Sequence, residues 1–173
     1  ASGRYSSSNI LAGDEINTTR ITKGYVSFGN AAPMVMYGGE DADSFFIYSN
    51  KAVLRMEGED GNDNFLVRAF VAEQNMILDA GAGDDVIQYN IAAPISIDGG
   101  AGFDSISVIG SEADDNFVIS RNGVYGAGLN ISVSGAEEAI EIDGLEGDDT
   151  FYVLSTRSGV ATTLIGNVGE DTF

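Results

Sequence analysis

Seven aspartates in this chain occupy the same place in a glycine-rich window. The windows are GGEDADSFF (38–46), GEDGNDNFL (58–66), AGAGDDVIQ (80–88), GGAGFDSIS (99–107), GSEADDNFV (110–118), GLEGDDTFY (144–152) and GNVGEDTF (166–173). Their sixth position is Asp43, Asp63, Asp85, Asp104, Asp115, Asp149 and Asp171, and their fourth is glycine at Gly61, Gly83, Gly102, Gly147 and Gly169. A carboxylate is a hard oxygen donor, and glycine lets a turn aim its carbonyls inward by taking positive φ. Together they suit Ca²⁺, which takes about six to eight oxygens from carboxylates, carbonyls and water. One aspartate per turn makes a poor site. Two turns held a few ångströms apart make a better one.

The rest of the composition narrows the chemistry. The 173 residues hold 27 Asp and Glu against 8 Lys and Arg, a formal charge of −19. That charge repels nucleic acid and anionic membrane surfaces and attracts cations. There is no cysteine and no histidine. Disulfides, thiol nucleophiles and cysteine-ligated zinc are therefore excluded, as are the commonest general base and transition-metal ligand. No run of 18 apolar residues occurs, so no membrane-spanning helix is expected. The apolar content of 43% is too high for a disordered acidic tail.

The elements that must position the aspartates are strands. The eighth position of every window is Phe or Ile, at Phe45, Phe65, Ile87, Ile106, Phe117, Phe151 and Phe173, and period-two alternation follows it. Further alternating runs lie between windows: AVLRM (52–56), NMILDA (75–80), APISID (93–98) and TTLIG (162–166). Successive key aspartates are 20, 22, 19, 11, 34 and 22 residues apart. Each unit reads as strand, short turn, strand, then the glycine–carboxylate turn. A period of about 20 residues with two short strands predicts an all-β parallel solenoid of about eight coils over residues 34–173, on the order of 40 Å long. An antiparallel sandwich is the competing reading. Residues 1–33 are expected to form an irregular N-terminal coil or cap.

The interval from Asp104 to Asp149 is 45 residues, or about two units. That arithmetic places Asp149 and Asp171 on the same edge as Asp43, Asp63, Asp85 and Asp104. Asp115 is left half a unit out of phase on the opposite edge, and RNGVYGAG (121–128) fills the regular edge without a carboxylate. The expected ion sites then lie between Asp43 and Asp63, Asp63 and Asp85, Asp85 and Asp104, and Asp149 and Asp171. Four calcium ions would bring the charge from −19 to −11. Asp41, Asp60, Asp84, Asp98, Asp143 and Asp148 are secondary acids that bind or face water.

The windows resemble the nonapeptide GGxGxDxUx of the RTX, or hemolysin-type, calcium-binding repeats, a motif for which calcium binding in a β-helix is the general reading. GGAGFDSIS fits every defined position, whereas Asp41 and Ala113 replace the fourth glycine in two other windows. The resemblance spans about residues 38–173. It implies Ca²⁺ held between successive turns by the aspartate carboxylate and main-chain carbonyls, within a segment of a large bacterial surface or secreted protein. Unlike a tandem array, the motif here comes mostly once per coil, so an ion ladder along one edge is expected.

The function expected is that of an extracellular, calcium-stabilised structural or adhesive module: a rod, surface-layer, matrix or filament component that orders after export. Its expected partners are calcium ions, other copies end to end or along the solenoid, and a cell-surface or glycan ligand. Phe46, Leu66 and Tyr152 are candidates for an outward apolar contact stripe. The last window stops as its strand begins, suggesting a longer chain or completion by a neighbour. The alternative is a module of a polysaccharide-modifying β-helix enzyme. No nucleophile elbow, phosphate loop or zinc motif supports catalysis, and the reading is non-enzymatic.

Overall fold

The computed structural model describes residues 18–21, 24–27, 32–48, 51–68, 75–90, 94–135 and 137–173. Most of the cap expected over residues 1–33 lies outside these residues. Within 1–33, β1 (Thr18–Ile21) and β2 (Gly24–Ser27) pair antiparallel as a two-stranded sheet of their own.

From Met34 onward the chain alternates between two sheets. It runs through β3 (Met34–Glu40) in the first sheet, β4 (Ser44–Ile47) in the second, then β5 (Leu54–Asp60), β6 (Asn64–Val67), β7 (Met76–Asp79), β8 (Val86–Asn90), β9 (Pro94–Asp98) and β10 (Asp104–Ile109). Odd-numbered strands of this run lie in the first sheet and even-numbered strands in the second. All pair parallel with the equivalent strand of the next unit. The chain is all-β, and no helix occurs among the described residues.

Next come three strands that stay in the first sheet: β11 (Asn116–Ser120), β12 (Gly123–Gly126) and β13 (Leu129–Ser134). They form a meander in which β12 is antiparallel to both neighbours, and β13 pairs parallel with β9. β14 (Glu137–Asp143) then returns to the second sheet beside β10, β15 (Thr150–Val153) lies in the first beside β11, and β16 (Ala161–Ile165) lies in the second beside β14. Among the described residues the first sheet has eight strands and the second six. Parallel pairing removes the antiparallel-sandwich alternative.

Because side chains alternate across a strand, parallel in-register pairing stacks like on like. In the second sheet Phe45, Phe65, Ile87, Ile106 and Ile140 form one inward row, and Ile47, Val67, Tyr89, Val108, Ile142 and Leu164 form the next. Leu54, Met76, Ile95 and Ile131 make a facing row in the first sheet. These residues, apart from the partly buried Ile140 and Leu164, are buried, each contributing about 1.5–3 kcal/mol. The eighth-position rings stack directly, Phe45 on Phe65 at 4.6 Å and Phe117 on Phe151 at 5.0 Å.

The meander overturns the expected edge assignment. Residues 121–128 do not form a turn on the regular edge; they carry β12 and its two flanking turns. The change of edge precedes the meander, at turn 110–115, which follows a second-sheet strand. β12 and its turns lengthen the unit from Asp115 to Asp149 to 34 residues, which makes the interval from Asp104 to Asp149 resemble two whole units. Turns 38–43, 58–63, 80–85 and 99–104 lead from the first sheet to the second, whereas turns 110–115 and 144–149 lead from the second to the first. Asp149 and Asp171 therefore do not share an edge with Asp104. They stack with Asp115, which is not isolated. The proposed contact stripe also divides: Phe46 and Leu66 are register partners in the second sheet, and Tyr152 lies in the first beside Val118.

Candidate cation-binding columns

Two columns of acidic turns result. One lies at the N-terminal ends of the second-sheet strands and contains Asp43, Asp63, Asp85 and Asp104; the other follows their C-terminal ends and contains Asp115, Asp149 and Asp171. β10 touches both, beginning at Asp104 and leading into the turn that ends at Asp115.

Main-chain hydrogen bonds join each turn to the next. The Gly61 N–H donates to the Ala82 carbonyl at 2.8 Å, and the Ala82 N–H donates to Glu59 at 2.7 Å. In the second column Gly147 N–H donates to Val168 at 3.0 Å and Val168 N–H to Leu145 at 3.2 Å. This stacking needs left-handed backbone at the second and fourth positions of the window, as at Glu59 (φ 74°) with Gly61 (146°) and Leu145 (76°) with Gly147 (118°). Asp41 replaces the fourth glycine and adopts φ 71°, a conformation aspartate tolerates better than most residues. Turn 110–115 is built otherwise. Neither Ser111 nor Ala113 is left-handed, and the Ser111 N–H and Oγ both bond Asp115 Oδ2, at 2.7 and 3.0 Å.

The sixth-position carboxylates point into these stacks rather than into solvent. Asp63, Asp85, Asp104 and Asp149 are essentially fully buried. Their Oδ1 atoms accept from the main-chain N–H of the equivalent aspartate in the neighbouring turn. Asp43 donates to Asp63 at 2.7 Å, Asp63 to Asp85 at 2.7 Å and Asp85 to Asp104 at 3.0 Å. In the second column Asp115 donates to Asp149 at 2.8 Å and Asp149 to Asp171 at 3.0 Å. Each charge thus receives one amide, while its second oxygen is left over. Oδ2 of Asp63, Asp85, Asp104 and Asp149 is buried without a hydrogen-bond partner.

The glycine that opens six of the seven windows has a different role from those that follow it. Its φ is not left-handed. It is small because the aspartate five residues on folds back against it. A Cβ on Gly58 would lie 2.2 Å from Asp63 Oδ2 and 2.0 Å from the Ala80 carbonyl oxygen of the next unit. One on Gly110 would lie 2.8 Å from Asp115 Oδ2 and 2.9 Å from the Gly144 carbonyl oxygen. Two oxygens from successive units therefore converge beside Gly58 and Gly110, and likewise beside Gly38.

Sequence reasoning missed two features. Glu138 extends the first column, its Oε2 accepting from the Asp104 N–H at 2.8 Å. It sits where a register shift sets both Glu137 and Glu138 against Asp104, a bulge that makes room for the extra residue. The acidic pair at 137–138 was the available signal. An outer ladder also runs through the fifth positions. Asn62 Oδ1 accepts from Asp84 N–H and Asp84 Oδ1 from Phe103 N–H, both at 2.9 Å. Asp114 and Asp148 accept likewise from Asp148 and Glu170, both at 2.9 Å. Among the secondary acids, Asp143 accepts from the Leu145 N–H at 3.0 Å and Asp98 from Ser134 Oγ at 3.4 Å. Asp60 is exposed at the end of β5.

Stacking carboxylates one strand spacing apart, roughly 4.8 Å, is electrostatically unfavourable. Burial pushes the Asp85 carboxyl up to about 6, opposed by the Asp63 amide and reinforced by Asp104, Asp63 and Asp84. Asp104 and Asp149 are raised for the same leading reason, with Glu138 adding to the first and Asp115 to the second. No lysine or arginine among the described residues pairs with these inner aspartates.

The donor set fits a hard cation. It offers buried, unpartnered carboxylate oxygens, joined beside Gly58 by a main-chain carbonyl, in a chain without histidine or cysteine to supply nitrogen or sulfur ligands. Among the described residues no three acidic side chains gather to hold a metal by themselves, so carbonyls and water must complete a shell of about six to eight oxygens. Comparison of the chain with protein-family models, curated proteins and solved structures finds no match.

Proposed function

We propose that this chain is an extracellular parallel β-solenoid, an RTX-like structural or adhesive module whose stacked acidic turns bind Ca²⁺. The observation that carries this reading is the orphaned, buried Oδ2 of Asp63, Asp104 and Asp149, each set beside a glycine that a side chain could not replace without collision. A folded protein rarely leaves a buried charge unpaired. Here a divalent cation supplies the missing partner and offsets the repulsion between neighbouring turns.

The aspartates at the column ends, Asp43 and Asp171, and Asp115 complete the two series. Carbonyl oxygens of the next unit's first residue supply further donors. In metal-free protein the same carboxylates oppose compaction. Binding and ordering are thus coupled, and affinities of about 10⁻⁴–10⁻³ M suit millimolar calcium outside cells. A chain of stacked, similar units with acidic edges serves as a rod in a cell-surface, matrix or filament assembly, by homo-association or by contact with a surface glycan.

Isothermal titration of chelator-treated protein with CaCl₂ tests the binding step. Several ions per chain are expected, with dissociation constants in the submillimolar to millimolar range. A flat isotherm at 10 mM calcium would contradict the reading.

A further inference from the structure

Six of the seven windows open with glycine; the third opens with Ala80. The local geometry makes this exception informative. At Gly58, Gly99, Gly144 and Gly166 an added Cβ would lie 2.2, 2.8, 2.0 and 2.1 Å from Oδ2 of the aspartate five residues on. No side-chain carbon tolerates such approaches, so in those turns the absence of a methyl group is what lets Oδ2 lie against the main chain. Ala80 has that methyl, is completely buried, and lies five residues before Asp85. The main-chain path is not the reason for glycine at this position, since none of the opening glycines is left-handed. What alanine changes is the space.

We propose that the Ala80 side chain closes the ion position beside Asp85 and so divides the first column into separate sites on either side of the third turn. This inference rests on the calcium reading above. Asp85, whose Oδ2 is buried without a hydrogen-bond partner like those of Asp63 and Asp104, then has a scaffolding role and is the member of the column left without a cation. Its Oδ1 still accepts the Asp63 amide at 2.7 Å and its N–H still reaches Asp104 at 3.0 Å, so the turns remain stacked without a cation at that level. The adjoining cradle at Gly58 is unaffected, because the Ala80 atoms nearest to it belong to its main-chain carbonyl group.

Two opposed variants test this against the unaltered chain by calcium titration with stoichiometry checked by elemental analysis. Ala80→Gly is expected to bind one more ion per chain than the parent. Gly99→Ala, which places a methyl 2.8 Å from Asp104 Oδ2 and 3.0 Å from Asp104 Cβ, is expected to bind one fewer. Circular dichroism in chelator reports whether each variant retains its strands, and either variant alone suffices if the other does not fold. A parent that binds calcium with Ala80→Gly or Gly99→Ala unchanged in stoichiometry overturns the role of Ala80. A parent that binds no calcium instead overturns the functional reading beneath it.

Discussion

The main-chain N–H of Asp43 donates to Oδ1 of Asp63 at 2.7 Å, while Oδ2 of the same Asp63 is buried with no partner. One oxygen fastens two turns together and the other faces the Ala80 carbonyl across the space beside Gly58. Asparagine separates these roles. Asp63→Asn keeps the acceptor and places a donor where the orphaned oxygen stands. In metal-free protein it should raise stability by about 1–2 kcal/mol, because an unpaired buried charge is removed. With calcium the variant should gain less than the parent. Thermal melts with and without calcium check both halves.

Protonation should stabilise the metal-free chain. Asp85 has a folded-state value of about 6 against an ordinary 3.8, so the native state binds more protons than the unfolded chain between those limits. Stability is then gained as pH falls through about 6 and lost as it rises through it. Asp104 and Asp149 shift in the same direction. Melting temperatures of chelated protein should be higher at pH 5 than at pH 7.5. Calcium affinity should follow the opposite trend, since protons compete for the carboxylates.

Leu145 holds φ 76° at the window position where three other units place glycine, at Gly39, Gly81 and Gly100. Left-handed backbone costs a residue with a Cβ about 1–2 kcal/mol, partly offset by the entropy glycine loses on folding. Leu145→Gly should therefore stabilise the chain by about 0.5–1 kcal/mol without altering its strand spectrum. Chemical denaturation measures the difference.

Phe151 stacks on Phe117 and Phe173, at 5.0 Å in each case. Phe151→Ala opens a cavity in the middle of that stack and should cost about 3–5 kcal/mol. Urea unfolding at saturating calcium would register the loss.

The residues that recur most strictly predicted the most about the fold. Aspartate at the sixth position and Phe or Ile at the eighth marked where a turn ends and an inward-facing strand begins, and parallel pairing in register explains why those positions repeat. The sheet that each strand enters was not legible. A glycine–aspartate turn has the same local chemistry on either edge, and the 45-residue interval between Asp104 and Asp149 matched two periods numerically. The meander signal was present in Asn122–Gly123, a dipeptide suited to a tight hairpin, but its strand β12 spans only Gly123–Gly126. Carboxylate direction was also hidden. Composition shows that aspartate and glycine share a turn, not that Asp63 folds back against Gly58. Gly58 differs from Gly61 in lacking a left-handed φ and in lying against the carboxylate of its own turn, whereas Gly61 lies against the Asp41 carbonyl.

The central claim is that cations hold the acidic turns in register, and thermal unfolding of exhaustively chelated protein against the same protein in calcium tests it most directly. With three sites each saturated about tenfold above its dissociation constant, the added stability is about 4 kcal/mol, or a rise in melting temperature of about 10 °C for a chain of this size. Magnesium at equal ionic strength should give a smaller rise. Identical melting curves in chelator, magnesium and calcium would contradict the account.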